Sequence, residues 1–308
     1  MRPVLLVLAL SLAAYASSAP GAQTPPSESA AATTVAHGPA EPEAIALGAL
    51  PAAVGMAAGD ARPIAALDSL TGRFVVQPRP AQRGPLMGPT ALTLTSVLNQ
   101  VANDVNRVLR LPRDVPIHSE ACGRINAFYR PSDGSIVVCD EMAPYTADAL
   151  GRWAPEDDRH GALYGALEFV TLHEIGHALV HQLDLTVYNQ DEDVADVIAT
   201  VLALEANALD RLAGSLVFWD ASARDARANR QTMPFWDEHS FDEQRMASIA
   251  CLWYGADPIG NADIAGSKFL PLDPESQVGK RRLAICEDQF HRSLRDLARQ
   301  LQPYLPQP

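Results

Sequence analysis

The segment His173-Glu174-Ile175-Gly176-His177 puts two histidines four positions apart, with a glutamate beside the first. On a helix of 3.6 residues per turn, positions i and i+4 share a face, so both imidazoles can reach one metal ion. Glu174 sits one step round the helix, close enough to take a proton from a water held at that ion. The flanking residues predict a helix over about 162–182. A third ligand has to come from elsewhere. His181 continues the stripe at i+8, but it lies two turns, about 12 Å, from His173 along the axis and is badly placed to share one ion with it.

A better source follows the turn near Asp184. There the chain reads NQDEDVADVIATVLALEANALDRL, which predicts a second helix over 191–213. Acidic residues in its first turn suit the helix dipole, and that accounts for Asp191 and Asp193 without a metal. Glu192 and Asp196 are spaced i, i+4 on one face. One carboxylate can ligate a metal while the other accepts the second N–H of a ligating imidazole. From the spacing, Glu192, Asp193 and Asp196 all stay open as the ligand. Upstream, residues 124–141 (RINAFYRPSDGSIVVCDE) read as two strands around the turn Pro131-Ser132-Asp133-Gly134. Downstream, Asp237 or Ser240 can cap a helix with Met246, Ile249 and Trp253 on its apolar side. His239 stands near its start, and Arg245 is placed to bind a substrate carboxylate or to pair with Asp242.

The order H-E-x-x-H, then E-x-x-x-D, resembles the gluzincins, the thermolysin-like zinc peptidases. A metzincin would carry a third histidine where Leu183 stands. The resemblance implies one zinc per chain held by His173, His177 and Glu192, with Glu174 as general base and Asp196 orienting His173. Thermolysin-like enzymes also carry a run similar to Asn126-Ala127-Phe128-Tyr129 on the strand edging the cleft. That likeness implies that Asn126 and Ala127 bind the main chain of an extended peptide. It further implies that His239 hydrogen-bonds the oxyanion. More broadly, CG-x-x-NAFY, I-x-x-C-x-E, HEIGH-A, ED-x-AD and DEHS-x-x-x-QR, spanning residues 122–245, resemble a bacterial family of secreted zinc metallopeptidases defined largely by sequence. The implied fold is α+β and zincin-like: a small twisted sheet whose edge strand packs on the active-site helix, followed by a mainly helical lobe. The implied reaction is peptide-bond hydrolysis by a metal-activated water. Two alternatives stand beside it: a catalytically inactive zinc-containing binding or sensory protein of the same fold, and a zinc hydrolase acting on non-peptide bonds. An intact Glu174 argues against the first.

The remaining sequence sets bounds. Residues 1–19 read as a secretory signal peptide, with cleavage expected near 16–22. The apolar run from Val4 to Ala14 is too short for a confident membrane span, so no stable membrane anchor is expected. Residues 20–67, rich in Ala and Pro, read as a flexible linker that cannot bury a core, and 68–308 as the folded domain. The mature protein is expected to be secreted or periplasmic. Its four cysteines suit an oxidising compartment, and proximity in sequence favours Cys122 with Cys139 and Cys251 with Cys286. A simple hairpin register, however, sets Asn126 opposite Cys139, so the first pair requires the chain to curl back. A net charge of −13 argues against nucleic acid and anionic membrane as partners and leaves a peptide or protein substrate. Oligomeric state is not legible. A helix is expected over 90–111 and another over 280–301, with a Pro-, Gly- and Asp-rich loop over 255–277.

Overall fold

The computed structural model describes residues 70–78, 89–187, 191–229 and 242–306. The expected signal peptide and linker lie outside the described residues.

A four-stranded sheet and seven helices form the described fold. The strands are β1 (Phe74–Val76), β2 (Val115–Glu120), β3 (Ala127–Arg130) and β4 (Ser135–Cys139), in the order β1-β2-β4-β3. β1 pairs with β2 and β2 with β4 in parallel, whereas β3 closes an antiparallel hairpin on β4 and lies at the edge. Phe74, Val115, Ile117, Ala127, Ile136 and Val138 alternate onto the face that joins the main core. Helix α1 (Pro89–Val108) packs Leu94, Val97, Leu98, Val101 and Val105 at helical spacing into that core. Its buried Asn106 holds β1 by its backbone: Phe74 N donates to Oδ1 (2.9 Å) and Nδ2 donates to Phe74 O (2.7 Å).

After the sheet come α2 (Met142–Trp153) and α3 (Arg159–Leu183). Helix α3 carries HEIGH and is buried on most sides, with Phe169, Leu172, Ile175 and Leu179 fully enclosed. It ends at Asp184 in the left-handed conformation (φ 52°), where Leu185 N donates to Val180 O. Then follow α4 (Asp191–Glu205), α5 (Leu209–Ala228), α6 (Asp242–Ala256) and α7 (Gln277–Leu301).

The single helix expected over 191–213 is two. Asn207 takes a positive φ of 53° and ends α4, and a new helix starts at Leu209. Asparagine tolerates that conformation, so the chain turns where the apolar pattern alone reads as continuous. Helix α2 was not anticipated from the sequence. The helices expected over 90–111 and 280–301 are present with shifted ends, and 257–276 is largely irregular. Disulfides join Cys122 to Cys139 and Cys251 to Cys286. The hairpin register does set Asn126 against Cys139, whose N–H donates to Asn126 O. Cys122 reaches the same residue because the chain curls at Gly123 (φ 70°), held by Glu141, whose carboxylate accepts from Cys122 N and Gly123 N.

Two backbone approaches fix α3. A Cβ on Gly176 would lie 3.0 Å from Ala195 Cα, so α4 nests directly on the HEIGH turn. A Cβ on Gly214 of α5 would lie 2.7 Å from Gly165 Cα and 2.9 Å from Ala166 N. Both neighbours there are main chain and have no rotamer to give. Gly214→Ala is therefore expected to destabilise the protein by about 1–3 kcal/mol through overpacking. Thermal unfolding checks this; an unchanged midpoint would mean that α3 and α5 separate freely.

Candidate metal centre

Because α4 nests on α3 at Gly176 and Ala195, the first turn of α4 faces the HEIGH turn. His173 Nε2 lies 3.1 Å from Glu192 Oε2, His177 Nε2 lies 3.3 Å from Glu192 Oε1, and the two Nε2 atoms are 3.2 Å apart. These three residues form a group that could hold a metal ion. Their spacing suits one: bonds of about 2.0–2.1 Å around a tetrahedral ion give ligand–ligand edges of about 3.3–3.4 Å. Lone-pair-bearing atoms this close repel one another unless a cation or a proton stands among them, so the donor set fits a bound cation.

Behind the triangle runs a buried charged chain. His173 Nδ1 donates to Asp196 Oδ1 (2.7 Å), one turn along α4 from Glu192. Arg245 of α6 grips the same carboxylate at two points, Nε to Oδ2 (2.8 Å) and Nη2 to Oδ1 (2.7 Å). Arg245 Nη2 also passes 3.2 Å from His173 Nδ1, so both donors converge on one oxygen. The guanidinium lies over the Trp219 ring of α5, 4.1 Å from its centre. His173, Asp196 and Arg245 are all buried.

The electrostatics follow from these contacts. Burial would raise the Asp196 carboxyl, but Arg245 and His173 hold it well below the usual carboxylate range. Burial would lower His173, but the Asp196 charge and hydrogen bond, with Glu192, carry it up to about 9. Glu174 is also buried, and burial pushes its carboxyl above the ordinary value, while His173, His177 and the backbone amide of Tyr129 pull it back. Its Oε2 has no hydrogen-bond partner among the described residues. A buried carboxylate oxygen in that state is what a site keeps for a water or a substrate.

The edge strand flanks this centre. In the β3–β4 register, Asn126 is a hydrogen-bonded partner of Cys139, so the backbone groups of Ala127 and Tyr129 face away from β4. The Ala127 N–H donates to Asn126 Oδ1 (3.0 Å), and the Tyr129 N–H points at Glu174. The outward carbonyls of Ala127 and Tyr129 complete that edge.

The fold thus brings together His173, His177, Glu192 and Asp196, sets Glu174 beside them, and lays Asn126 and Ala127 on the adjoining strand edge. Of the carboxylates left open by spacing, Glu192 is the one whose oxygens approach both imidazole Nε2 atoms. His239 lies outside the described residues. His181 is exposed and hydrogen-bonds Tyr129 Oη through Nδ1 (2.8 Å). Sequence reasoning missed the role of Arg245: it turns inward onto Asp196, a contact set by how α6 packs on α4. It also missed Tyr129, whose only signal was its place in the Asn-Ala-Phe-Tyr run.

A helix-borne pair of histidines and a carboxylate from the next helix form, on an α+β scaffold, a group that could hold a metal ion, with Glu174 beside it. The chain belongs to the family described as "putative metallopeptidase", whose model matches residues 86–301. No curated protein and no solved structure matches the chain. Among the described residues, no helix is long and apolar enough to cross a membrane.

Arg245→Met should leave the buried Asp196 carboxylate with His173 as its one remaining cationic partner, at a cost of about 3–5 kcal/mol in stability. Denaturant unfolding measures it, and a loss under about 0.5 kcal/mol, the range of an ordinary surface change, would show that the pair carries little.

Proposed function

We propose that this protein is a secreted zinc-dependent peptidase, with the metal held by His173, His177 and Glu192. The observation that carries the reading is the convergence of those three donor groups beside the unpartnered Oε2 of Glu174. Membership of a metallopeptidase family supports it, as do two disulfides, which suit an oxidising compartment. When bound, zinc supplies Lewis acidity, lowering the pKa of a water and polarising the scissile carbonyl.

This chain's own residues do the remaining work. Glu174 accepts the proton from the attacking water and delivers it to the leaving amine. Burial helps that exchange, since a carboxylate raised above its ordinary value is the stronger base. Asp196 takes the Nδ1 proton of His173 and so keeps Nε2 turned toward Glu192 and His177. Arg245 keeps Asp196 ionised for that task. The carbonyls of Ala127 and Tyr129 accept N–H groups of an extended substrate, with the Asn126 side chain at the start of the same edge.

Three outcomes test this. Zinc should copurify at about one per chain, and Glu192→Ala should lose it; retention of stoichiometric metal in that variant would reject the ligand set. Glu174→Gln should keep the metal and lose peptide hydrolysis by several orders of magnitude, and an equally active variant would reject the mechanism. Metal uptake should also release protons. With its value raised to about 9, His173 is protonated in the metal-free protein at neutral pH, and a metal must displace that proton. Zinc affinity should therefore weaken steadily as pH falls below about 9. Titration calorimetry in buffers of differing protonation enthalpy would read the released proton; pH-independent binding would contradict the assignment.

A further inference from the structure

Beyond the catalytic turn, four side chains form a hydrogen-bond chain that Arg113 orients from one end. Arg113 Nε donates to Gln182 Oε1 (2.5 Å). An arginine has only donors, so Gln182 must turn its carbonyl to Arg113 and its NH₂ away. That NH₂ donates to Tyr129 Oη (2.5 Å). The Tyr129 hydroxyl lies 2.8 Å from His181 Nδ1, which the Gln182 NH₂ also approaches at 3.4 Å, so two donor groups face that nitrogen. With Nδ1 accepting, the His181 proton sits on Nε2. The chain therefore ends in donors on exposed residues: the Nε2–H of His181 at one end, and the two NH₂ groups of Arg113 at the other.

Its place relative to Glu174 follows from Tyr129. The Tyr129 amide meets Glu174, while its hydroxyl meets His181, seven residues or about 10 Å further along α3. The ring therefore lies along the helix from the level of the base toward its C-terminal end. His181 stands one turn, about 6 Å, past His177 on the same stripe. An extended peptide advances about 3.3 Å per residue, so His181 lies about two residues from the catalytic turn.

We propose that the Arg113–Gln182–Tyr129–His181 chain is a carboxylate-recognising subsite about two residues from the scissile bond. An acidic side chain or a free C-terminal carboxylate supplies the same oxygens, and a chain end built only of donors takes either. The proposal rests on the peptidase reading above for the identity of the substrate.

The test uses zinc-loaded full-length Glu174→Gln protein, so that peptides bind without being cut. The probes are alanine-based hexapeptides carrying one Glu or one Gln at each position in turn, each with a free or an amidated C-terminus. One Glu position, or the free terminus, should bind about tenfold more tightly than its neutral counterpart, equivalent to about 1.4 kcal/mol. His181→Ala, made in the same background, should abolish that preference while zinc content and the affinity for neutral peptides stay unchanged. Tyr129→Phe should reduce it, because the His181 tautomer is then no longer set. A Glu side chain preferred over the free terminus identifies an acidic-residue subsite, and the reverse identifies terminal recognition; either supports the proposal. Equal affinity for Glu and Gln peptides and for both termini overturns it. If native protein then cuts these peptides without acidic preference, the subsite alone has failed. If none is bound or cut, the subsite and the peptidase reading fail together.

Discussion

The candidate centre depends on one buried carboxylate. Asp196 takes hydrogen bonds from His173 on one side and from Arg245 on the other, and through them it joins α3, α4 and α6. The Trp219 face from α5 closes over the guanidinium. Isolated, each of these charges would be expensive to remove from water. Together they form a sequence of alternating sign whose outer end is the histidine Nε2. Helix packing and imidazole orientation are thus a single constraint: α6 cannot shift without changing how His173 faces Glu192.

Glycine and alanine set how near the helices come. At Gly176 and Ala195 the main chains of α3 and α4 approach closely enough for Glu192 to reach both histidines. At Gly165 and Gly214 the main chains of α3 and α5 touch. Helix α3 is therefore placed by main-chain contact, which leaves less room for adjustment than interdigitating side chains do. The third backbone element is the edge strand, whose Tyr129 amide points at Glu174.

What the sequence revealed divides along the same line. HEIGH and the Glu192–Asp196 spacing were legible because helical periodicity is local: i and i+4 share a face whatever surrounds them. The hairpin was legible from its turn residues and its apolar arms, and its register followed from the turn position. The chain's return at Cys122 was not, because it depends on a glycine at positive φ and on Glu141, a residue beyond the hairpin, capping two amides. The break at Asn207 was hidden by an unbroken apolar pattern on both sides. The inward turn of Arg245 was hidden more thoroughly, since its partner stands 49 residues earlier and only the packing of α6 on α4 joins them. Likewise, the conversation between Tyr129 and His181 spans 52 residues and has no local signature.

The sheet has two edges, and both are disarmed against one another. At β1, Asn106 takes the outward N–H and C=O of Phe74, so a strand of three residues has little left to offer. At β3, the Ala127 N–H is taken by Asn126 and the Tyr129 N–H points at Glu174, whereas no hydrogen bond among the described residues takes the matching carbonyls. A full ladder needs both kinds of group in alternation. An added strand therefore finds only half a template there. Free carbonyls suit a segment that only donates, which is the contact the proposed substrate would make there.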